Sequence, residues 1–558
     1  MKYLQNTLSN NFKFIILFFL LNYLTMGWQL IDKNKIDLAI YYGFTVFFMS
    51  FIAAAIIFLI PLRFAQKVIK SLCLLINIVP FIMEAFIMHT YNILINAGVI
   101  CSLLETTTAE AREYITMYIG FKGLLAAIII AAAVVLVFRL NIINKIAANN
   151  KVKKYFTVIS LSAGIISTGI MFIGYSSFFS DNDFLPLQRV ASAMNVAVKN
   201  KEAYEHLEAQ VNSKENIKIT ENNSSMKNVV FILGEATNRN HMNLYGYYLP
   251  NTPHLDELNK KGDIAVFRDV VSAHSTTIAS LSKVFTFCHH ESSKPWYNYN
   301  NLIDVMNAAG YKTYWLSNQE SSGIWGSVAH VFADHSTEHV FTKLRDSHED
   351  YGIVDGNLFP LIDKAIADRS DKKNFYVFHL MGCHALYYNR FPYSFSKFSK
   401  DDIRLPLTDR QKTIVAQYDN AILYNDYIVT NIFAKFRDME AIVIYMPDHS
   451  EAIYDEGDTV AGHFEGNANR HMIEIPFIIW ASDKWKARYP KEWAQIKKSV
   501  NNPYMTDDMI HTVLDIVGVK TPEFDATRSI VNPLFNPNRP RIFNDKNYDT
   551  QIKNAVTN

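Results

Sequence analysis

Five long runs that carry almost no charge lie in the first 180 residues, and they restrict the fold of this chain more than any other feature. A bilayer core of about 30 Å needs roughly 20 apolar residues in a helix. The fourth run reaches that length only if it extends back past Lys122, whose long side chain can reach the interface. The sequence therefore predicts a multi-span α-helical membrane domain of five helices over residues 1–180. The runs are residues 14–31, 38–62, 71–89, 123–138 and 155–180.

Charged residues between these runs predict the orientation of the chain in the membrane. Lysines and arginines collect at the amino terminus, between the second and third runs and after the fourth, which the positive-inside rule places in the cytoplasm. The loop at 92–118 is acidic, with Glu105, Glu110 and Glu113 against a single Arg112. Five spans with the amino terminus inside put everything after the fifth run outside.

The character of the chain changes after residue 180. Residues 181–225 are polar, with apolar residues at helical spacing; this predicts either an amphipathic interfacial stretch or an ordinary connector with one packed face. From residue 226 to 558, apolar strands alternate with helical patterns, which is typical of an α/β domain with a mainly parallel sheet. The formal net charge of +1 gives no reason to expect nucleic acid as a partner. The predicted strands are 228–233, 312–316, 374–380, 440–446 and 474–480.

Two of these strands place metal-ligand side chains at their carboxyl ends. Glu235 follows the first strand, and Asp448 and His449 follow the fourth. Ligands of open α/β sheets collect outside the carboxyl ends of the strands. Each half alone is more often a cap or a salt-bridge member. Together, two oxygens and one nitrogen with room for another ligand predict a catalytic zinc site.

Residues 273–281 place several hydroxyl groups at the start of a predicted helix. Ser275 or Thr276 could simply cap that helix. Alternatively, a threonine oxygen lies over the metal, because a helix amino terminus stabilises an alkoxide and binds phosphate. Composition alone does not choose between Thr276 and Thr277 as a nucleophile.

Five segments, in this order and spacing, resemble the phosphoethanolamine transferases of Gram-negative inner membranes, which belong to the alkaline phosphatase and sulfatase superfamily. The family patterns are GESxxRxHxxLxGY, Txx(S/T), HxxGSHGxxYxxRYP, DH(G/S)E and GH. The chain departs from them at Ala236, Cys383 and Ala385. The resemblance covers essentially the whole chain and implies an alkaline phosphatase/sulfatase-like α/β domain in the periplasm. The matching segments are 234–247 (GEATNRNHMNLYGY), 277–280 (TIAS), 379–392 (HLMGCHALYYNRFP), 448–451 (DHSE) and 462–463 (GH).

The resemblance also implies the cofactor and the catalytic residues. One zinc ion is bound tightly, and a second is allowed during turnover. Thr277 is the nucleophile, because Ser280 then falls three residues later, as in the family. His384 and His463 contact the phosphate or the second zinc, and one of them acts as general acid. The implied ligands of the first zinc are Glu235, Thr277, Asp448 and His449.

Substrate-binding residues follow from the same resemblance. Thr106 and Glu110 lie in a loop similar to one that binds the donor headgroup, with Thr107 in place of an asparagine. Asn240 is placed at the mouth of the site, although a turn or N-cap role fits it equally well. The implied substrate-binding residues are Thr106, Glu110, Asn240, His379, His384 and His463.

The reaction implied is transfer of phosphoethanolamine from phosphatidylethanolamine to a lipopolysaccharide acceptor, either a lipid A phosphate or a core sugar. It passes through a covalent phosphothreonine and releases diacylglycerol. The alternatives are phosphoglycerol transfer from phosphatidylglycerol, and phosphoethanolamine transfer to a periplasmic protein or glycan.

Two further features are open at this level. Glu84 lies inside the third run, and an intramembrane carboxylate is a functional candidate, although its place near the outer end also allows an interfacial position. A Cys288–Cys383 disulfide is compatible with the sequence. The staple that the resemblance would place around Thr277 is missing, since Ala273 and Lys283 flank it.

Overall fold

The structure is a computed structural model of the 558-residue chain. Contacts divide its described residues into an amino-terminal unit that ends at Val198 and a carboxy-terminal unit that follows. The described residues are 2–32, 35–91, 185–195, 217–320, 328–343, 354–455, 461–463, 465 and 469–554, with isolated positions between 94 and 198.

The amino-terminal unit contains three long apolar helices among its described residues: α1 Lys2–Asp32, α2 Ile36–Phe58 and α3 Arg63–Tyr91. Each is long and apolar enough to cross a membrane. They correspond to the first three predicted spans. The fourth and fifth predicted spans lie almost entirely outside the described residues.

Glu84 in α3 is fully buried and paired with a cation. Arg189 donates from Nε to Glu84 Oε1 and from Nη2 to Oε2, both at 2.6 Å. The Thr25 hydroxyl donates to Oε2, and the Ile95 amide donates to Oε1 at 3.3 Å. Arg189 lies in a helical stretch, residues 186–195, inside the predicted linker. The pair therefore fixes this stretch against the membrane helices of the same unit.

The carboxy-terminal unit is built on a seven-stranded sheet. Its strands, in order across the sheet, are β3 Ile264–Phe267, β11 Phe477–Ala481, β8 Ala441–Pro447, β2 Asn228–Gly234, β7 Asn374–His379, β5 Lys312–Glu320 and β6 Glu338–Lys343. All neighbouring pairs are parallel except those of β11, which is antiparallel to β8 and β3. The other strands form short two-stranded sheets: β1 Glu221–Asn222, β4 Asp269–Val271, β9 Ala452–Ile453, β10 Ala461–Gly462, β12 Pro503–Met505, β13 Val519–Lys520, β14 Ile542–Phe543 and β15 Lys546–Asn547.

Helices flank this sheet, and the sequence explains why. Every residue of β2, β7 and β8 is buried, as expected for strands covered on both faces. All five predicted strands are present. The helices are α4 Pro253–Lys261, α5 Thr277–Val284, α6 Leu302–Ala308, α7 Val328–Asp334, α8 Phe359–Ala367, α9 Asp409–Lys435, α10 Asp483–Arg488, α11 Pro490–Lys498 and α12 Met509–Val517.

Strand register brings the polar residues at the strand ends to one edge. Gly234 at the end of β2 lies opposite Pro447 at the end of β8. On the other side of β2, Leu233 lies opposite His379, the last residue of β7. Residues that follow these three strands therefore emerge side by side.

Apolar packing places the carboxyl end of α5 on the sheet. Leu281 and Val284 of α5 are fully buried in the main core. Phe285 follows the helix, and its ring lies 5.5 Å from Phe231 of β2 and 5.3 Å from Trp315 of β5, between centroids. These contacts hold α5 on the sheet.

Candidate active site

Glu235, Asp448 and His449 form a buried cluster at the carboxyl edge of the sheet. His449 Nε2 lies 3.0 Å from Glu235 Oε1 and 3.5 Å from Asp448 Oδ2. One ligand atom from each residue lies within 4.8 Å of those of the other two. The structure thus brings together the three side chains that the sequence places at two separate strand ends.

The hydrogen bonds of this cluster fit a bound cation. Asp448 Oδ1 accepts from the amides of Ala236 and His449, at 3.4 and 2.7 Å. Asp448 Oδ2 is buried and receives no hydrogen bond from the described residues. His449 Nδ1 lies 2.8 Å from the Ser450 carbonyl oxygen, a contact that needs the proton on Nδ1 and leaves Nε2 as an electron-pair donor. Two carboxylates and an imidazole are ligands that zinc takes.

The pKa shifts of Asp448 and Glu235 also favour a bound cation in this cluster. Burial raises the pKa of Asp448, and the neighbouring Glu235 carboxylate raises it further. Burial alone would also raise the pKa of Glu235, but the positive charge of a protonated His449 holds that pKa below its usual range, and a bound cation would take over this role from the proton. Two buried carboxyl groups side by side disfavour each other's ionisation, and a cation between them removes that cost.

A second group of metal-ligand residue types, His290, Glu291 and Asp507, serves a different purpose. Arg539 Nη2 donates to Asp507 at 2.6 Å and to Glu291 at 2.8 Å. It also lies 2.8 Å from His290 Nδ1. A guanidinium already supplies the positive charge here, so this group is an ion-pair network.

Thr277 is the first residue of α5, and its hydroxyl reaches the cluster. Thr277 Oγ1 lies 3.3 and 3.4 Å from the two Glu235 carboxylate oxygens and 3.4 Å from His449 Nε2. Thr276 is the N-cap residue, but its side chain makes no capping hydrogen bond. The Ser275 hydroxyl donates to Glu465 at 3.1 Å. Neither hydroxyl therefore caps α5, which corrects the simpler interpretation of this segment.

The loop after β7 passes against the backbone of Glu235. Gly382 has φ +54°, and a Cβ there would lie 2.6 Å from the Glu235 carbonyl oxygen. The Cys383 amide donates to that oxygen at 3.0 Å. Asp355 accepts from the Met381 and Gly382 amides at 2.8 and 2.9 Å. These hydrogen bonds fix the backbone of the loop, although Cys383 and Ala385 depart from the family pattern.

His384 lies on this loop and is partly buried. Arg390 Nε donates to the carbonyl oxygens of His384 and Ala385, both at 3.1 Å, and its Nη2 donates to Ala385 at 2.7 Å. Arg390 therefore fixes the backbone on which His384 stands.

His463 is partly exposed, and its ring lies beside His449 of the cluster. Its ring centroid lies 4.1 Å from that of His449. Its Nδ1 lies 3.6 Å from Glu451 Oε1.

His379 differs from these two histidines because it is fully buried. Its Nδ1 lies 3.2 Å from the Ser317 hydroxyl, and its ring meets Trp315 edge to face at 5.9 Å. Burial lowers the pKa of His379 to about 4, so the ring is neutral at pH 7. The structure places it in the core beneath the site.

The remaining predicted residues lie elsewhere. Asn240 Nδ2 donates at 2.8 Å to Glu474, which lies outside the cluster. The N-cap of the short helical turn that contains Asn240 is Asn238. Thr106 and Glu110 lie outside the described residues. Cys288 and Cys383 are separate buried thiols, so the disulfide that the sequence allowed is not formed.

Sequence reasoning missed three residues that support the site: Asp355, Gln319 and Glu465. Gln319 Nε2 donates to Glu235 Oε2 at 3.2 Å and to the Leu380 carbonyl oxygen at 3.1 Å. The signal for Gln319 was its place at the end of β5, but the predicted strand, 312–316, ended too early to include it. Asp355 and Glu465 carry no signal in the sequence.

Comparisons with known proteins identify the family of this chain. The family model for phosphoethanolamine transferase EptA/EptB matches residues 49–198, and the sulfatase model matches residues 227–519. The chain is 30% identical over 507 residues to phosphoethanolamine transferase EptC of Escherichia coli O18:K1:H7 (strain RS218 / NMEC), covering 86% of this chain and 85% of that protein.

Two solved structures extend the comparison. The zinc complex of the C-terminal periplasmic domain of EptC from Escherichia coli has a TM-score of 0.56 and 30% identity, covering 60% of this chain and 96% of that one. The integral membrane lipooligosaccharide phosphoethanolamine transferase A (EptA) from Neisseria meningitidis shares the fold, with a TM-score of 0.67 and 21% identity over 92% of this chain and 96% of that one. This chain, with three apolar amino-terminal helices among its described residues and a sulfatase-like domain, belongs to the phosphoethanolamine transferase family.

Proposed function

We propose that this protein transfers phosphoethanolamine from phosphatidylethanolamine to a lipopolysaccharide acceptor through a covalent intermediate on Thr277. The observation that carries the proposal is the position of the Thr277 hydroxyl, 3.3 to 3.4 Å from Glu235 and His449 in the buried cluster. A hydroxyl held at a site for a cation, at a helix amino terminus, suits attack on phosphorus.

In the first step, Thr277 Oγ1 forms a bond to phosphorus, and the bond from phosphorus to the glycerol oxygen breaks. Diacylglycerol leaves with a proton, which balances the proton that the Thr277 hydroxyl loses. In the second step, an acceptor oxygen forms a bond to that phosphorus, and the bond from phosphorus to Thr277 Oγ1 breaks. Thr277 regains a proton, which balances the proton that the acceptor gives up. Both displacements depend on stabilisation of charge on the phosphoryl oxygens.

Glu235, Asp448 and His449 are the residues that would hold zinc, with Thr277 beside them as a fourth ligand. When bound, zinc supplies positive charge that favours the ionised form of the Thr277 hydroxyl and offsets charge on the phosphoryl group. The fit rests on the unsatisfied Asp448 oxygen and the orientation of His449.

His384 and His463 are proposed as the groups that contact the phosphate or a second zinc ion during turnover. One of them gives its proton to the departing diacylglycerol oxygen. Both are partly exposed, as residues that meet a substrate must be. Thr106 and Glu110 are proposed to bind the donor headgroup, where the Glu110 carboxylate would face the ammonium of ethanolamine. For Asn240 and His379, substrate contact requires a change in the contacts described above.

The family supports the proposed acceptor and location. The relative from Neisseria meningitidis is a lipooligosaccharide phosphoethanolamine transferase, which supports a lipopolysaccharide acceptor here. The apolar helices support insertion in a Gram-negative inner membrane, with the amino terminus in the cytoplasm and the catalytic domain in the periplasm.

The experiment is intact-mass analysis of the purified full chain incubated with phosphatidylethanolamine. We expect a phosphoethanolamine adduct on wild type and on Thr276→Ala, and none on Thr277→Ala. An adduct on Thr277→Ala would overturn the nucleophile. A parallel incubation uses phosphatidylglycerol. A phosphoglycerol adduct from that lipid, with no adduct from phosphatidylethanolamine, would overturn the proposed donor.

A further inference from the structure

The segment that leads into Thr277, residues 273–275, is held by side chains that lie outside the segment. The Ala273 amide donates to Thr506 Oγ1 at 3.0 Å, and the Ser280 hydroxyl donates to the His274 carbonyl oxygen at 3.0 Å. The Ser272 hydroxyl donates to the same carbonyl oxygen at 2.7 Å, and the His274 ring lies 6.5 Å from that of Phe543, between centroids. The contacts of this segment with a charged side chain are made by the carboxylate of Glu465. This residue is the charged anchor of the segment among the described contacts.

Glu465 uses both carboxylate oxygens on two consecutive residues. Its Oε1 lies 2.7 Å from His274 Nδ1, and its Oε2 accepts from the Ser275 amide at 2.9 Å and the Ser275 hydroxyl at 3.1 Å. An ionised carboxylate is an acceptor with about four electron-pair positions, so it can serve three donors at once. Hydrogen bonds to an ionised group are shorter and stronger than neutral ones.

The position of Glu465 in the chain gives this contact its consequence. Ser275 precedes Thr277 by two residues, and Glu465 follows His463 by two residues. The carboxylate therefore joins the segment that carries the proposed nucleophile to the segment that carries a proposed general acid.

We propose that Glu465 is a positioning residue, which fixes the start of α5 so that the Thr277 hydroxyl faces the Glu235 cluster while the His463 ring stays beside His449. The inference rests on the proposed function of Thr277 and His463. A displacement of about 1 Å in a reacting group can reduce a rate on the order of 100-fold, so an anchor two residues away is close enough to control the reaction.

The test compares full-length wild type with Glu465→Gln and Ser275→Ala. Glutamine keeps the size of Glu465 but removes its negative charge and leaves one acceptor oxygen, so it cannot accept hydrogen bonds from both His274 and Ser275. Ser275→Ala removes one hydrogen bond and keeps the amide contact. Glu492→Gln, at an exposed position on α11, is the matched control for loss of a carboxylate.

The first readout needs no activity. Hydrogen exchange of peptides that cover residues 273–284 is measured in the full chain without lipid. We expect faster exchange in Glu465→Gln, a smaller effect in Ser275→Ala, and no change in Glu492→Gln. Wild-type exchange in Glu465→Gln would overturn the inference.

The second readout is the rate of the Thr277 adduct and the split between kcat and KM for the donor lipid. We expect Glu465→Gln to lower the adduct rate and kcat by about 10- to 100-fold, while zinc content stays at the wild-type level and KM changes little. A variant that loses zinc, or whose KM alone rises, would show that Glu465 does not position the nucleophile. If Glu465→Gln fails to fold, Ser275→Ala must show both changes in weaker form, or the inference is wrong.

The two proposals fail differently. If wild type forms no adduct but Glu465→Gln still speeds exchange of residues 273–284, Glu465 anchors the segment and the proposed reaction is wrong. If wild type forms the adduct and Glu465→Gln matches it in rate and exchange, the reaction stands and the positioning role is wrong.

Discussion

Gly382 packs so closely against Glu235 that any side chain at this position would meet the backbone of that proposed metal ligand. A Cβ on Gly382 would lie 2.6 Å from the Glu235 carbonyl oxygen and 2.8 Å from its amide nitrogen. The loop that carries His384 and the strand end that carries Glu235 are thus in direct backbone contact.

Gly382→Ala should therefore strain the backbone at residue 382 and, in addition, disturb the proposed zinc site. The positive φ alone costs about 1–2 kcal/mol for an alanine, and the clash must also displace Glu235. Gly262→Ala is the matched control, because Gly262 has φ +76° with no atom within 4 Å of its added Cβ. We expect both variants to lose thermal stability and only Gly382→Ala to lose zinc, measured by elemental analysis. Equal zinc contents in the two variants would show that the contact between Gly382 and Glu235 does not affect zinc binding.

Removal of the metal should abolish transfer and leave the sheet folded. The ligands stand on buried strands whose packing does not involve the cluster, so chelation should reduce activity to background while far-ultraviolet circular dichroism stays unchanged. Zinc should then restore activity. Asp448→Asn should weaken zinc binding by more than about 100-fold, the upper end for residues that only support a ligand. Full activity after exhaustive chelation, with zinc shown to be absent, would exclude a metal role.

The Glu84–Arg189 pair should behave as a coupled unit in the membrane part. Glu84 has no exposed surface and Arg189 is 6% exposed, so removal of one partner leaves a buried charge, at a cost of about 3–5 kcal/mol. We expect Glu84→Gln and Arg189→Met each to lower the thermal stability of the detergent-solubilised protein strongly. The double variant should be more stable than the sum of the single effects predicts. Additive losses would mean that the two side chains act independently.

His241 should make stability depend on pH. Burial alone would lower its pKa, but Asp455 and Asp419, at 2.9 and 3.1 Å from its ring nitrogens, raise the pKa of His241 to about 10. A group whose pKa is raised on folding stabilises fully below its unfolded pKa of about 6.5, and this stabilisation disappears as pH rises through the folded value.

The difference in melting temperature between wild type and His241→Gln should therefore be largest near pH 6 and shrink progressively towards pH 10. His254→Gln, at a histidine on the surface that is paired with Asp426, is the comparison variant. A His241→Gln difference that is constant over this range would show that no proton is taken up by this ring on folding.

The sequence alone determined the elements and the ends that carry chemistry. Apolar runs of sufficient length predict membrane helices because a bilayer core has a fixed thickness, and α1, α2 and α3 follow that rule. Buried strands show as continuous apolar runs, so the places of Glu235, Asp448 and His449 at the ends of β2 and β8 could be read directly. These are local patterns, recorded in neighbouring residues.

Only the tertiary structure decided which distant side chains complete those elements. Arg189 pairs with Glu84 across 105 residues, and Glu465 bonds to Ser275 across 190. A carboxylate is stabilised by whichever donor the fold brings within about 3 Å, and periodicity along the chain carries no record of that donor. The same reason explains why the burial of His379, a motif histidine, could not be read from its motif: the depth of a strand end depends on what packs over it.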